Sequence, residues 1–138
     1  MSILQQYFPN QIKSDEAEDY NCIAWAAGDN TQWWEPDVWG NYYWPPNVPR
    51  QITLDAFIKA YETLGFVRCR DGKHEDNIIK IALYVDAQGI PTHAARLLPN
   101  GKWTSKCGIY EDIEHELKEL CGPPLFYGNI ACYMKKPA

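Results

Sequence analysis

Cys22 and His93 are the two residues of this sequence whose types and surroundings could do covalent chemistry together. A thiolate attacks an acyl carbon well only if something lowers its pKa from about 8.5, and a helix N-terminus or a nearby imidazolium does so. Cys22 follows Asp19-Tyr20-Asn21 and opens the apolar run Ile23-Ala24-Trp25-Ala26-Ala27, which predicts a thiol exposed at a helix start. Backbone N–H groups at that position can receive an oxyanion, with Asn21 or Tyr20 as polar support. His93 stands between Thr92 and Ala94-Ala95, on an otherwise apolar stretch before Pro99-Asn100-Gly101. It would serve as general base and then acid, its ring oriented by a third polar group. Thr104, Ser105 and Lys106 on the return strand are the candidates for that third place. A turn centred on Asn100-Gly101 sets Thr104 opposite Leu97 and leaves the choice among the three open. The remaining histidines read as solvated. His74 lies in the polar turn Asp71 to Asn77, and His115 falls on the charged side of an expected third helix. There Glu119 occupies the place where a zinc-protease helix needs its second histidine.

A second group is aromatic. Trp33, Trp34, Trp39, Tyr42, Tyr43 and Trp44 fall within twelve residues and are followed by Pro45-Pro46. Such a stretch offers a stiff wall of π faces for sugars, peptides or flat ligands. The same rings could be the core of their own loop. Both are expected, with some faces buried and one or two lining a groove near Cys22. Trp33, Trp34, Trp39, Tyr43 and Trp44 are therefore the substrate-binding candidates.

The elements that must position these groups follow from pattern and punctuation. The first fourteen residues read as an irregular lead-in. A short helix begins near Cys22, capped by Asp19 or Asn21 and stopped by Gly28. Asp29 to Arg50 holds Pro36, Pro45, Pro46 and Pro49 and reads as a long ordered loop. Leu54, Phe57, Ile58, Tyr61 and Leu64 form one helical face, with Thr53 as cap and Gly65 as end. Strands are expected at Phe66–Cys69, Ile78–Val85, Pro91–Leu98, Lys102–Cys107 and Asn129–Met134. A third helix is expected over Asp112–Leu120, closed by Cys121-Gly122-Pro123-Pro124. This order makes an α+β fold, with N-terminal helices packed on an antiparallel meander of about four to five strands.

Composition narrows the function classes. With 138 residues, the chain suits one domain spanning 1–138. Thirteen Lys+Arg against eighteen Asp+Glu give a net charge of −5, which argues against a nucleic-acid partner. Apolar runs stay far below the roughly 18 residues of a membrane span, and no basic start leads into an apolar core at Met1–Asn10, so a cytoplasmic location is expected. Five cysteines without a Cys-x-x-Cys pair argue against a disulfide framework or zinc ribbon. No metal or organic cofactor is expected.

A cysteine at a helix start, then a histidine opening a hairpin, then a polar residue on its second strand, resembles the papain-like cysteine hydrolases. The resemblance is to their NlpC-type peptidase and amidase branch, and it covers roughly Asp19 to Gly28 and Ile78 to Gly108. It implies a papain-like core and puts Ser105 in the third position, through His93-Ala-Ala-Arg-Leu-Leu-Pro-Asn-Gly-Lys-Trp-Thr-Ser105. The chain departs from that branch at Ile23, usually a small residue, and at Ser105, usually His, Asn or Gln. The implied activity is hydrolysis or acyl transfer at an amide, isopeptide or ester bond of a peptide, protein or small acyl substrate. The chain is also similar to small bacterial and phage proteins carrying Asn-Cys-Ile-Ala-Trp-Ala, Thr-His-Ala-Ala-Arg and Trp-Thr-Ser-Lys, a likeness that assigns no activity. The rival expectation is a non-catalytic binding or inhibitory protein, such as a phage or toxin-system partner, that uses loop 33–46. A Cys22–His93 contact within about 4 Å would favour the enzyme. A buried Cys22 with His93 facing elsewhere would favour the binder.

Overall fold

The computed structural model describes residues 19–106, 112–121 and 127–138. The expected lead-in, the Gly122-Pro123-Pro124 turn and Cys107 lie outside them. The described elements are α1 (Cys22–Ala27), α2 (Leu54–Glu62), β1 (Val67–Cys69), β2 (Ile78–Val85), β3 (Pro91–Leu97), β4 (Trp103–Lys106), β5 (Asp112–His115), a single 3₁₀ turn (Leu117–Leu120) and β6 (Asn129–Pro137). No helix among the described residues is long and apolar enough to cross a membrane.

Both helices start and stop for local reasons. Asn21 sits in extended backbone and its side chain accepts from the Ala24 N–H, while Gly28 ends α1 at φ 86°, a left-handed cap that glycine reaches without strain. Thr53 caps α2 by accepting from the Ala56 N–H, and the helix buries Phe57, Ile58 and Tyr61 as its spacing requires. The Tyr61 hydroxyl donates to the Ile23 carbonyl at 2.9 Å and ties the two helices together.

The six strands form one antiparallel sheet in the order β1-β6-β2-β3-β4-β5. The α+β class is as expected, but the simple meander of four to five strands is not. The last strand inserts between β1 and β2, and only β2 to β5 run as consecutive neighbours. The expected helix over Asp112–Leu120 is also corrected. Asp112–His115 instead pairs with β4, Trp103 facing His115 and Ser105 facing Ile113. The helical pattern rested on three apolar residues, and the open edge of β4 offers four residues of ladder in its place. A capping box between Glu116 and Glu119 then starts the 3₁₀ turn.

The β3–β4 hairpin corrects the expected register by one. Arg96 pairs with Thr104 and Leu97 with Trp103. Leu98 and Lys102 still pair through a 2.8 Å bond, which leaves a three-residue loop, Pro99-Asn100-Gly101, with Gly101 at φ 85°. An odd loop shifts the pairing by one residue relative to a two-residue Asn-Gly turn. Because side chains alternate across a sheet, that shift decides which face each polar residue occupies.

Each face carries its own core. Ile81, Leu83, Ala94 and Met134 face α1, α2, Trp34 and Trp44. Ala82, Tyr84, Ala95, Leu97 and Trp103 face Leu120, with Leu117, Tyr127 and Tyr133 packed beside them.

Candidate functional site

Cys22 lies on the first of these faces. Asn21 places it by three hydrogen bonds: its side-chain oxygen accepts from Ala24 N–H (3.2 Å) and Trp34 N–H (3.1 Å), and its amide nitrogen donates to Trp34 O (2.7 Å). The residue expected to support an oxyanion thus stitches α1 to the aromatic loop. Tyr20, its expected companion, tilts against Trp25 at 5.8 Å between ring centroids, with the Lys106 ammonium 5.4 Å from its ring centre. Cys22 is buried, and desolvation pushes its thiol up to about 11 despite the opposing pull of backbone amides, above all that of Ala94, and of the Lys106 charge. The thiol therefore stays protonated at neutral pH. It lines a small cavity of about 190 Å³ together with Asn21, Trp34, Pro36, Phe57 and Thr92.

His93 lies on the opposite face. It pairs with Tyr84, stacks on Tyr127 at 4.0 Å and 7° between planes, and meets the edge of Tyr84 at 5.5 Å. Only 1% exposed, it has no hydrogen-bond partner for either ring nitrogen among the described residues. Burial, with a smaller contribution from His115, holds it well below the usual imidazole range, so the ring is neutral. The sheet itself separates it from Cys22. Ala94, the next residue, is the one that packs with Cys22 in the first core. The expected Cys22–His93 contact is not formed.

Ser105 shares the face of His93 but serves another histidine. Its hydroxyl lies 2.6 Å from Nε2 of His115, whose Nδ1–H donates to the Glu116 carbonyl at 2.9 Å. That network assigns the neutral tautomer with Nε2 as acceptor, in agreement with a pKa lowered chiefly by burial. His115 was expected on a solvated helix face and is instead buried at the end of an edge strand. The period-two alternation of Asp112-Ile113-Glu114-His115 is the signal in the sequence for this. Ser105 and His115 are a serine–imidazole pair of good geometry, but both are buried, so they pin β4 to β5. Thr104 and Lys106, the other candidates for the third place, are on the first face with Cys22.

The aromatic loop divides between core and surface, and of its rings Trp34 lines the cavity beside Cys22. Trp34 and Trp44 are buried, Trp34 stacking towards Tyr61 and Trp44 against Phe57. Trp33 tilts against Tyr42 and Tyr43 against Trp34. Trp39 is 83% exposed, and Val38 beside it 77%. Among the described residues no three His, Cys, Asp or Glu side chains gather to hold a metal ion, and the described cysteines are free.

These features define an α+β domain with a six-stranded antiparallel sheet, a buried thiol on one face and a buried histidine pair on the other. The family model described as a domain of unknown function, DUF7689, matches residues 11–135, and the chain belongs to that family. No curated protein and no solved structure matches the chain.

Proposed function

We propose that the chain is a binding module that docks a protein partner on the loop between α1 and α2. The observation that carries this reading is Trp39, standing out of the surface beside Val38 on a loop that is already held in shape. Arg50 donates to the Asp37 carboxylate at 3.0 Å and to the carbonyls of Asp37 and Tyr42. The Asp37 carboxylate in turn accepts from the N–H groups of Asn41 and Tyr42. A pre-shaped loop loses little freedom on binding, and a protruding tryptophan is the side chain most often at the centre of an interface. Tyr42, Tyr43 and Ile52 extend the exposed apolar surface. With a net charge of −5, the chain suits a partner whose apolar pocket has a basic rim.

Papain-like cysteine hydrolysis is the second reading, and two observations favour it. Cys22 opens a helix and lines a cavity, and the β2–β3 pairing shifts register between Tyr84 and Val85 of β2, leaving Thr92 of β3 as an extra residue directly beside His93. Bulges of this kind re-aim side chains, and a one-residue slip there would turn His93 to the face of Cys22. One comparison separates the readings. Trp39→Ala should weaken binding to a purified partner by about 30-fold or more, while Cys22→Ala stays within about twofold. Loss of the biological activity in Cys22→Ala with equal melting, and none in Trp39→Ala, would put the hydrolase first.

A further inference from the structure

We propose that a cavity at the end of the sheet near Trp25 binds an apolar carboxylate through Arg96, a site separate from the exposed loop. The cavity measures about 760 Å³ and lies at one end of the sheet, between Trp25 of α1, the start of β2 and the β3–β4 turn. That volume is within the range of about 300–1,000 Å³ usual for small-molecule sites. Trp25, Ile79, Leu97, Leu98 and Pro99 form its apolar side, residues 74–77 and Thr104 its polar side, and Arg96 enters from β3.

Pairing with Ile81 and Thr104 sets Arg96 on the face of α1. Its side chain is half-buried, and desolvation alone shifts its guanidinium, with no neighbouring charge offsetting the loss of water. None of the hydrogen bonds or ion pairs among the described residues uses it. Its Nη1 reaches the end of α1, 3.5 Å from where a Cβ on Gly28 would stand. The Ala24 and Trp25 carbonyls there already accept from Asp29 and Gly28. A guanidinium drawn partly out of water without a counter-ion is unfavourable, and an anion seated in the cavity removes that penalty.

The surroundings select the anion. Glu75 also lines the cavity, but its carboxylate is engaged by Lys80 at 2.7 Å; Asp76, at the rim, is almost fully exposed. One guanidinium fork matches one planar carboxylate, whereas a phosphate dianion would need further donors and its second charge would be repelled more strongly by those two acids. The apolar walls then take the body of the ligand. A free apolar acid and the C-terminal carboxylate of a peptide share this chemistry.

The test uses the full chain and two probes, 4-phenylbutyrate and N-acetyl-Phe-Leu, each with its uncharged amide counterpart, plus phenyl phosphate. Binding is followed by the NMR shifts of the Arg96 Nε and Trp25 indole resonances and by thermal shift. Both acids should saturate and bind at least tenfold more tightly than their amides. Arg96→Gln should reduce the acids to the level of the amides, and Arg96→Lys should retain part of the preference. Tighter binding of the dipeptide points to peptide C-termini, and tighter binding of phenylbutyrate to free acids. Equal binding of acid and amide, no saturation, tighter binding of phenyl phosphate, or unchanged binding in Arg96→Gln would each overturn the site. If Arg96→Gln does not fold, the acid-to-amide ratio in the wild type decides by itself.

Discussion

At Cys22 a helix start and burial pull the thiol in opposite directions, and burial wins. The N-terminal amides of α1 and the Lys106 charge favour the thiolate, but a sulfur removed from water is left near pKa 11. Iodoacetamide at pH 7 should therefore label Cys69 and Cys121, which are half-buried, well before Cys22. Mass spectrometry of the digest reads the order, and labelling of Cys22 first would mean that the thiol is activated after all. His93 makes the complementary case on the other face. The folded state keeps its imidazole neutral, while the unfolded chain takes up a proton near pH 6.5. Below that pH the unfolded state binds more protons, so stability present above pH 6.5 is lost as the pH falls. Each such histidine contributes up to about 1.4 kcal/mol per pH unit in that window, and His115 shifts in the same direction. His93→Phe keeps a ring to stack on Tyr127, removes both unpartnered nitrogens, and should roughly halve the fall in stability between pH 6 and 5. Denaturant titrations at the two pH values measure it, and an unchanged slope would show that His93 is already charged in the fold.

Among the elements, α1 and the aromatic loop form a joint unit through Asn21. Removing its side chain frees the Ala24 and Trp34 N–H groups and the Trp34 carbonyl at once. Asn21→Ala should lower stability by about 2–4 kcal/mol, and Asn21→Asp, which keeps the two acceptor bonds, by less. Equal melting of Asn21→Ala and wild type would contradict the stitch. The motif around Cys22 was legible as a capped helix because the cap, the apolar run and the terminating glycine are all local. The strand Ile78–Val85 was legible to the residue for a similar reason, a β-branched run bounded by turn residues. What escaped is what depends on distant partners. Asp112–His115 is a strand because β4 has an open edge, and its four-residue alternation is too short to outweigh the helical spacing of Ile113, Leu117 and Leu120. The face of His93 depends on hairpin register and on the shift beside Val85, and one residue of error there exchanges a catalytic reading for a structural one.

For the whole molecule, the sheet acts as a partition. Cys22 belongs to the core with α1 and α2, and His93 stacks with Tyr84 and Tyr127 on the other side. Substitutions on the two faces should therefore be close to additive. In a double-mutant cycle of Cys22→Ala and His93→Phe, the coupling in unfolding free energy should be below about 0.5 kcal/mol. A coupling well above 1 kcal/mol would place the two side chains in contact and revive the dyad. The insertion of β6 between β1 and β2 has a kinetic consequence. Val67 pairs with Lys135, so β1 has no neighbour in the sheet until β6 arrives, about sixty residues later. During synthesis β2 to β4 can zip in sequence as each turn emerges, whereas β1 must wait, its unpaired edge open to other chains. Pairing of β1 is then a late, long-range event that follows emergence of residues 129–137 from the ribosome. The nascent chain stays vulnerable to edge-to-edge association until that event.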